Sequence, residues 1–413
     1  MIRFKQFLKE NNIIQEGGAF GHLSNVFDVN FSFGDFRDII IKSLEGNLER
    51  TRLKTDGQNL MFTVIDGRIR TARNKGHIKN FGQNSMTAEE LAQKFKGRGG
   101  LESAYNNAII DLKDAISHLS DKQIDKIFKN GKKFMSMEVI HVDSPNVVWY
   151  GENQLRFHGT KEYDVDGNVI GDFKEDGDIF AGMIRQRGKE NQKTFKLRPL
   201  EVVKLPQVPN FKGQQKLFIS QLEKIMKPLK IKWSDKLHDY KSKYFENILQ
   251  KQNIYNPRLV SRWAFFDKTY TVADIKKDNY TETQKKWILN FEKSKLQDEW
   301  KKMMLPLEFL FLRLGATVLE NIKQFMVVNP DESIQKINKK LDTAIKAARS
   351  SNDPKMIKKI ELELKRIEAA GGREKISPEE GITFMYKGEF LKLTGLFAPV
   401  NQLIGLLFKL EEN

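Results

Sequence analysis

The sequence predicts an α+β protein in which an antiparallel-sheet domain is interrupted by a large all-α insertion or second domain. Turn signals at Asp66-Gly67, Asp166-Gly167 and Lys387-Gly388 separate strand-like runs, the pattern of hairpins. From about Phe211 to Ala370 the pattern becomes helix after helix, rich in Lys, Leu, Ile and Trp. After Gly371-Gly372 strand chemistry returns, so the last two strands are expected to complete the first sheet. The boundaries read as 1–208 for the main part of the sheet domain, 209–372 for a basic helical domain, and 373–413 for the closing strands and helix.

Composition narrows the function classes. With 413 residues, the chain is long for one domain and comfortable for two. Lys and Arg number 70 against 54 Asp and Glu, a formal charge of +16. That balance points to nucleic acid or another polyanion, because neutralised phosphates release counterions and supply affinity. The absence of cysteine excludes disulfides, thiolate metal sites and cysteine nucleophiles. The six histidines have no metal-ligand spacing, and no Walker-type glycine loop occurs. The most apolar stretch, Met303 to Leu319, is broken by Pro306, Glu308 and Arg313, so no membrane partner is expected and the protein reads as soluble and cytoplasmic.

In chain order, Met1 to Glu10 reads as an amphipathic helix, followed by a glycine-rich loop containing His22. A helix is predicted from Gly34 to Glu49, with Phe36, Ile39, Ile40, Leu44 and Leu48 on one face. Strands follow from Leu53 to His77, the last, Arg68 to Asn74, carrying Arg68, Arg70 and the bulge-adjacent Arg73. These arginines read either as a charge-blunted edge or as phosphate contacts. Thr87-Ala88-Glu89-Glu90 is a capping box, and a long helix is expected from Leu101 to Leu119. Glu138 lies inside the apolar strand Lys133 to His141. A buried carboxylate is costly unless paired, so Glu138 is either exposed on one face or functional. Ile334 to Ala370 reads as a lysine-studded helical hairpin, its basic face either solvated or in contact with nucleic acid.

The chemistry centres on Glu49 to Leu60, where Lys54 precedes the turn Thr55-Asp56-Gly57. Asp-Gly is a turn signal, because Gly tolerates positive φ and Asp bonds its own backbone. The stretch is either a surface hairpin with an incidental lysine or a nucleophile at a strand end. An amine with a pKa near 10.4 is protonated at neutral pH, so desolvation and nearby cations are expected to lower it.

Taken together, these segments resemble the covalent nucleotidyltransferase superfamily of ATP-dependent polynucleotide ligases and capping enzymes, most of all the phage RNA ligases. Lys54-Thr55-Asp56-Gly57 is similar to the motif whose lysine attacks the nucleotide α-phosphate, which implies nucleotide-binding roles for Asp56 and Gly57. The resemblance places Asn59 where nick-sealing phage RNA ligases carry Asn, and Arg73 on the ribose and the sealed end. It likewise places Glu138 on the ribose and Phe157 stacked on the base. Glu380, in Glu380-Gly381-Ile382-Thr383-Phe384, resembles the glutamate that serves the metal, and Lys392 the lysine that grips the α-phosphate. Glu175 with Lys196 and Arg198 is a rival placement of that last pair. Thr394 stands where the family carries a second lysine. The short run after Lys392 leaves no room for an oligonucleotide-binding barrel, which favours the RNA ligases. The resemblance implies a lysyl-AMP intermediate, ATP and Mg²⁺ as cofactors, nucleic acid (RNA before DNA) as partner, and a phage protein working in host cytoplasm.

Overall fold

Alternating apolar and polar residues form ten strands that sort into two sheets in the computed structural model, which describes residues 23–322, 330–351, 353–377 and 379–411. The expected N-terminal helix and His22 lie outside the described residues. In chain order the strands are β1 (Ser24–Asn25), β2 (Glu49–Lys54), β3 (Gln58–Ile65), β4 (Arg68–Ala72), β5 (Lys133–Ile140), β6 (Gln154–Tyr163), β7 (Val169–Phe173), β8 (Lys196–Pro199), β9 (Gly381–Tyr386) and β10 (Glu389–Leu393).

The smaller sheet has the order β1-β10-β9-β2, and the larger runs β4-β3-β5-β6-β7 with β8 also paired to β6. Pairing is antiparallel except for β1 with β10 and β6 with β8. The fold is therefore α+β, with the C-terminal hairpin β9–β10 completing a sheet begun by β2. Asp66 and Gly67 both take positive φ (48° and 73°), as do Lys387 and Gly388 (48° and 83°). Those values suit a two-residue turn whose twist matches the flanking strands.

The turn at Thr55-Asp56-Gly57 differs from the hairpin reading. β2 pairs with β9, whereas β3 pairs with β4 and β5, so these three residues carry the chain from one sheet to the other. Lys54 sits at that crossing point.

Each sheet buries one face. Leu53, Ile382, Leu391 and Leu393 join Phe33, Phe36, Ile39, Ile40 and Leu44 of the helix Phe33–Glu45 in one apolar core. Helices of the block between Phe211–Met226 and Leu296–Glu320 contribute Phe218, Trp263, Phe311 and Leu314 to the same core. The helical block thus covers the outer face of the smaller sheet. On the larger sheet, Leu60, Phe62, Met135, Met137, Leu155 and Phe157 pack against helices Ala88–Phe95, Gly100–Ser117, Asp121–Phe128 and Asp176–Gln186. The capping box at Thr87 and Glu90 forms. A further core joins Val147, Val148 and Tyr150 to helices Pro330–Ser350, Pro354–Ala369 and Phe397–Glu411. No helix among the described residues is long and apolar enough to cross a membrane.

Candidate active site

Strand alternation decides which side chains meet. Because Leu53, Ile382 and Leu393 point into the helical core, Lys54, Thr383 and Lys392 point the other way, towards the larger sheet. Because Leu60, Met137 and Phe157 face the opposite helices, Asn59, Ser136, Glu138 and Arg156 face back. The polar faces of the two sheets meet at the Thr55–Gly57 crossing.

Lys54, Glu138, Glu380 and Lys392 converge there. The Lys54 ammonium donates to Glu380 Oε2, and the two side chains keep only 18% and 14% of their exposure. Glu138 accepts from the Thr55 hydroxyl and lies 3.5 Å from His158 Nε2. Lys392, opposite Thr383 and two residues along from Gly381, the partner of Lys54, is close enough for Lys54 and Glu380 to act on its charge.

Charge balance differs from the expectation for Lys54. Burial alone would lower its pKa, but Glu380, Glu138 and Asp56 outweigh burial and hold the amine above its ordinary value. The expected depression is corrected: the carboxylates win and Lys54 is an ammonium. Burial pushes Glu380 up to about 7, with Lys54 opposing it. Burial also pushes Glu138 upward, yet His158, Lys54 and the Thr55 hydroxyl bring it below the usual carboxylate value. Burial, reinforced by the like charge of Lys54, lowers Lys392.

Asp56 and Gly57 build the site without facing it. Asp56 accepts from the amides of Val147 (2.6 Å) and Val148 (2.8 Å) and from Asn146 Nδ2 (2.6 Å), while its own amide donates to Tyr150 (2.6 Å). It therefore ties down the 146–150 loop, which corrects the reading of Asp56 as capping its own turn. Removing the carboxylate leaves two buried amides without acceptors. Asp56→Ala is expected to cost at least about 2 kcal/mol, measured by denaturant unfolding. Gly57 does not have positive φ. It is needed because a Cβ there would stand 3.0 Å from Glu138 Cβ and 3.1 Å from the Val139 carbonyl.

The other expected site residues divide. Asn59 sits opposite Glu138 on the cleft face and donates to Ser136 Oγ at 3.1 Å. Arg73 follows β4, with its guanidinium 5.3 Å from the ring centre of Phe95 and 5.6 Å from that of Tyr105, so it is held on the helical layer. Arg68 and Arg70 lie on β4, an edge strand of the larger sheet. Phe157 is a correction. It is 0% exposed, 4.9 Å from Phe180 and 6.2 Å from Phe62 between ring centres, and it cannot stack on a base. Phe157→Ala is expected to cost about 3–5 kcal/mol of stability through the cavity it leaves, read by thermal unfolding. The rival pair is not at Lys54: Glu175 lies 3.6 Å from Arg50 at the rim, and Lys196 pairs with Glu152.

Four residues of the site were missed by the sequence reading. Arg156 faces the cleft and acts on Glu379, whose carboxyl burial holds well above the ordinary range. His158 approaches Glu138, and Tyr150 anchors Asp56. The alternation Leu155-Arg156-Phe157-His158 carried a usable signal, since burying Phe157 turns Arg156 and His158 outward. Among the described residues, no group of three His, Cys, Asp or Glu is arranged to hold a metal ion. No protein-family model, curated protein or solved structure matches the chain.

Proposed function

We propose that the chain is an ATP-dependent nucleotidyltransferase of the polynucleotide ligase type, acting on RNA in preference to DNA through a lysyl-AMP intermediate at Lys54. The observation that supports this reading is the placement of one nearly buried amine between Glu380, Glu138 and Lys392, where two sheets meet. Lys54 Nζ forms a bond to the α-phosphorus of ATP as the bond to the β-phosphate oxygen breaks, and pyrophosphate leaves. Glu380 accepts the amine's proton. In the next step a 5′-phosphate oxygen attacks the same phosphorus, the P–N bond breaks, and Lys54 takes back a proton. A 3′-hydroxyl then attacks the activated 5′-phosphorus and gives its proton to solvent, while the P–O bond to AMP breaks and AMP departs.

Lys392 stabilises the phosphoryl oxygens as charge develops on them. Asn59 and Glu138 line the side where the ribose is assigned. Mg²⁺ is assigned to enter with ATP, because that ion takes most of its ligands from phosphates and water and needs only one or two carboxylates. Two converging carboxylates, Glu138 and Glu380, fit that demand; the resemblance gives the ion to Glu380, but a carboxylate that takes the amine's proton does not hold the ion in the same step, so Glu138, which stays ionised, would hold it there. When bound, the ion neutralises phosphate charge.

Two observations favour a second reading, a non-catalytic basic nucleic-acid-binding protein: the neighbouring carboxylates hold Lys54 charged, and Thr394 stands where the ligases carry a lysine. A single experiment separates the two. The chain is incubated with α-labelled ATP and Mg²⁺ and then denatured. Label retained on the chain supports the nucleotidyltransferase. An unlabelled chain that still binds RNA with steep salt dependence rejects it in favour of the binding protein.

A further inference from the structure

A second cleft opens beside the site, between the 145–149 loop and the helix Pro330–Ser350. It encloses about 300 Å³ and is lined by Pro145, Val147, Trp149, Lys336, Lys339 and Lys340, a volume at the lower end of ordinary ligand sites. Trp149 is half-buried, and the Lys336 ammonium sits 3.3 Å from its ring centre while also pairing with Glu332 at 2.8 Å. Lys340 donates to the Asn146 carbonyl at 3.1 Å, and Lys339 is exposed. The spacing of Lys336, Lys339 and Lys340 puts three cations on one helix face opposite one indole.

We infer that this cleft is a binding subsite for single-stranded polynucleotide, in which an unpaired base stacks on Trp149 and the adjoining phosphates lie along Lys336 and Lys339. The inference rests on the polynucleotide half of the reading above. Its chemistry is that of non-sequence-specific strand binding: a π-face for the base and a row of cations for the backbone. A base entering the cleft displaces the Lys336 ammonium from the indole, and a phosphate takes over as its partner. The interior of a duplex does not fit, because its paired bases are already stacked on both faces. The cleft is tied to the reaction centre, since Asn146 and Val147 of its loop are the groups that hold Asp56.

The test measures binding of a fluorescein-labelled single-stranded RNA of about 12 nucleotides by anisotropy at several salt concentrations. Labelling by α-labelled ATP is measured in parallel on the same full chains. Trp149→Ala is expected to weaken strand binding about 5- to 100-fold. Lys339→Ala is expected to reduce the salt slope by about one. Strand binding that depends on Trp149 sustains the inference even if no label is transferred, in which case only the catalytic reading fails. The inference is overturned if both variants bind the strand like wild type, or if wild type binds no strand while still accepting label. It is also overturned if Trp149→Ala raises the ATP concentration needed for labelling and spares the strand, because the cleft would then hold the nucleotide's own base.

Discussion

Lys54→Arg is expected to leave the denatured chain without label after incubation with α-labelled ATP and Mg²⁺, while the protein remains folded. The substitution keeps a cation against Glu380 and Glu138 but removes the nucleophile, since a guanidinium does not deprotonate in proteins. Lys54→Ala makes a poorer test. It leaves the nearly buried Glu380 carboxylate without its counterion and is expected to cost about 3–5 kcal/mol of stability, so a lost signal would mix chemistry with unfolding. Circular dichroism and denaturant midpoints on both variants separate the two causes. If Lys54→Arg labels as wild type does, another residue carries the nucleotide and the assignment of Lys54 fails.

The rate of labelling should rise with pH and level off once Glu380 is ionised. The sign follows from the direction of the shift. Burial raises the Glu380 pKa to about 7, so below that pH the carboxyl is already protonated and cannot accept the proton that Lys54 must lose. Above it the carboxylate is free to do so. Glu380→Gln is expected to lower the labelling rate by about 10²–10⁴-fold and to abolish the inflection, with initial rates followed between about pH 6 and 9. Stability moves the opposite way. A carboxyl whose folded pKa is raised contributes stability that is present below its unfolded value of 4.5 and is lost as pH rises through about 7. A labelling rate that is flat across this interval in wild type would remove Glu380 from the proton path.

The residues most legible in the sequence were those whose chemistry conflicts with their surroundings. Glu138 stood out as a carboxylate inside an apolar strand, and the structure gives it partners in Thr55 and His158. The hairpin between Glu380 and Lys392 was readable because Lys387-Gly388 is suited to positive φ. Asp56-Gly57 looked the same in sequence and proved different. Dipeptide chemistry says that the chain turns, but not whether the strands on either side share a sheet. That depends on long-range partners, here β9 for Lys54 and β5 for Asn59. Phe157 was misplaced because an aromatic was matched by position along the chain, although strand parity already set it opposite Arg156 and His158. The lysine depression failed for a quantitative reason: desolvation acts in the expected direction, but the field of three nearby carboxylates at residue 54 outweighs it.

Lys54 and Glu380 touch across 326 positions of sequence. A ribosome making this chain therefore releases the amine long before its carboxylate partner exists. Until β9 and β10 emerge, the β2 edge that will pair with them lies open, a docking template for any stray strand. Nascent and truncated forms should consequently be both inert and prone to self-association, so that chemical competence arrives only with the closing hairpin.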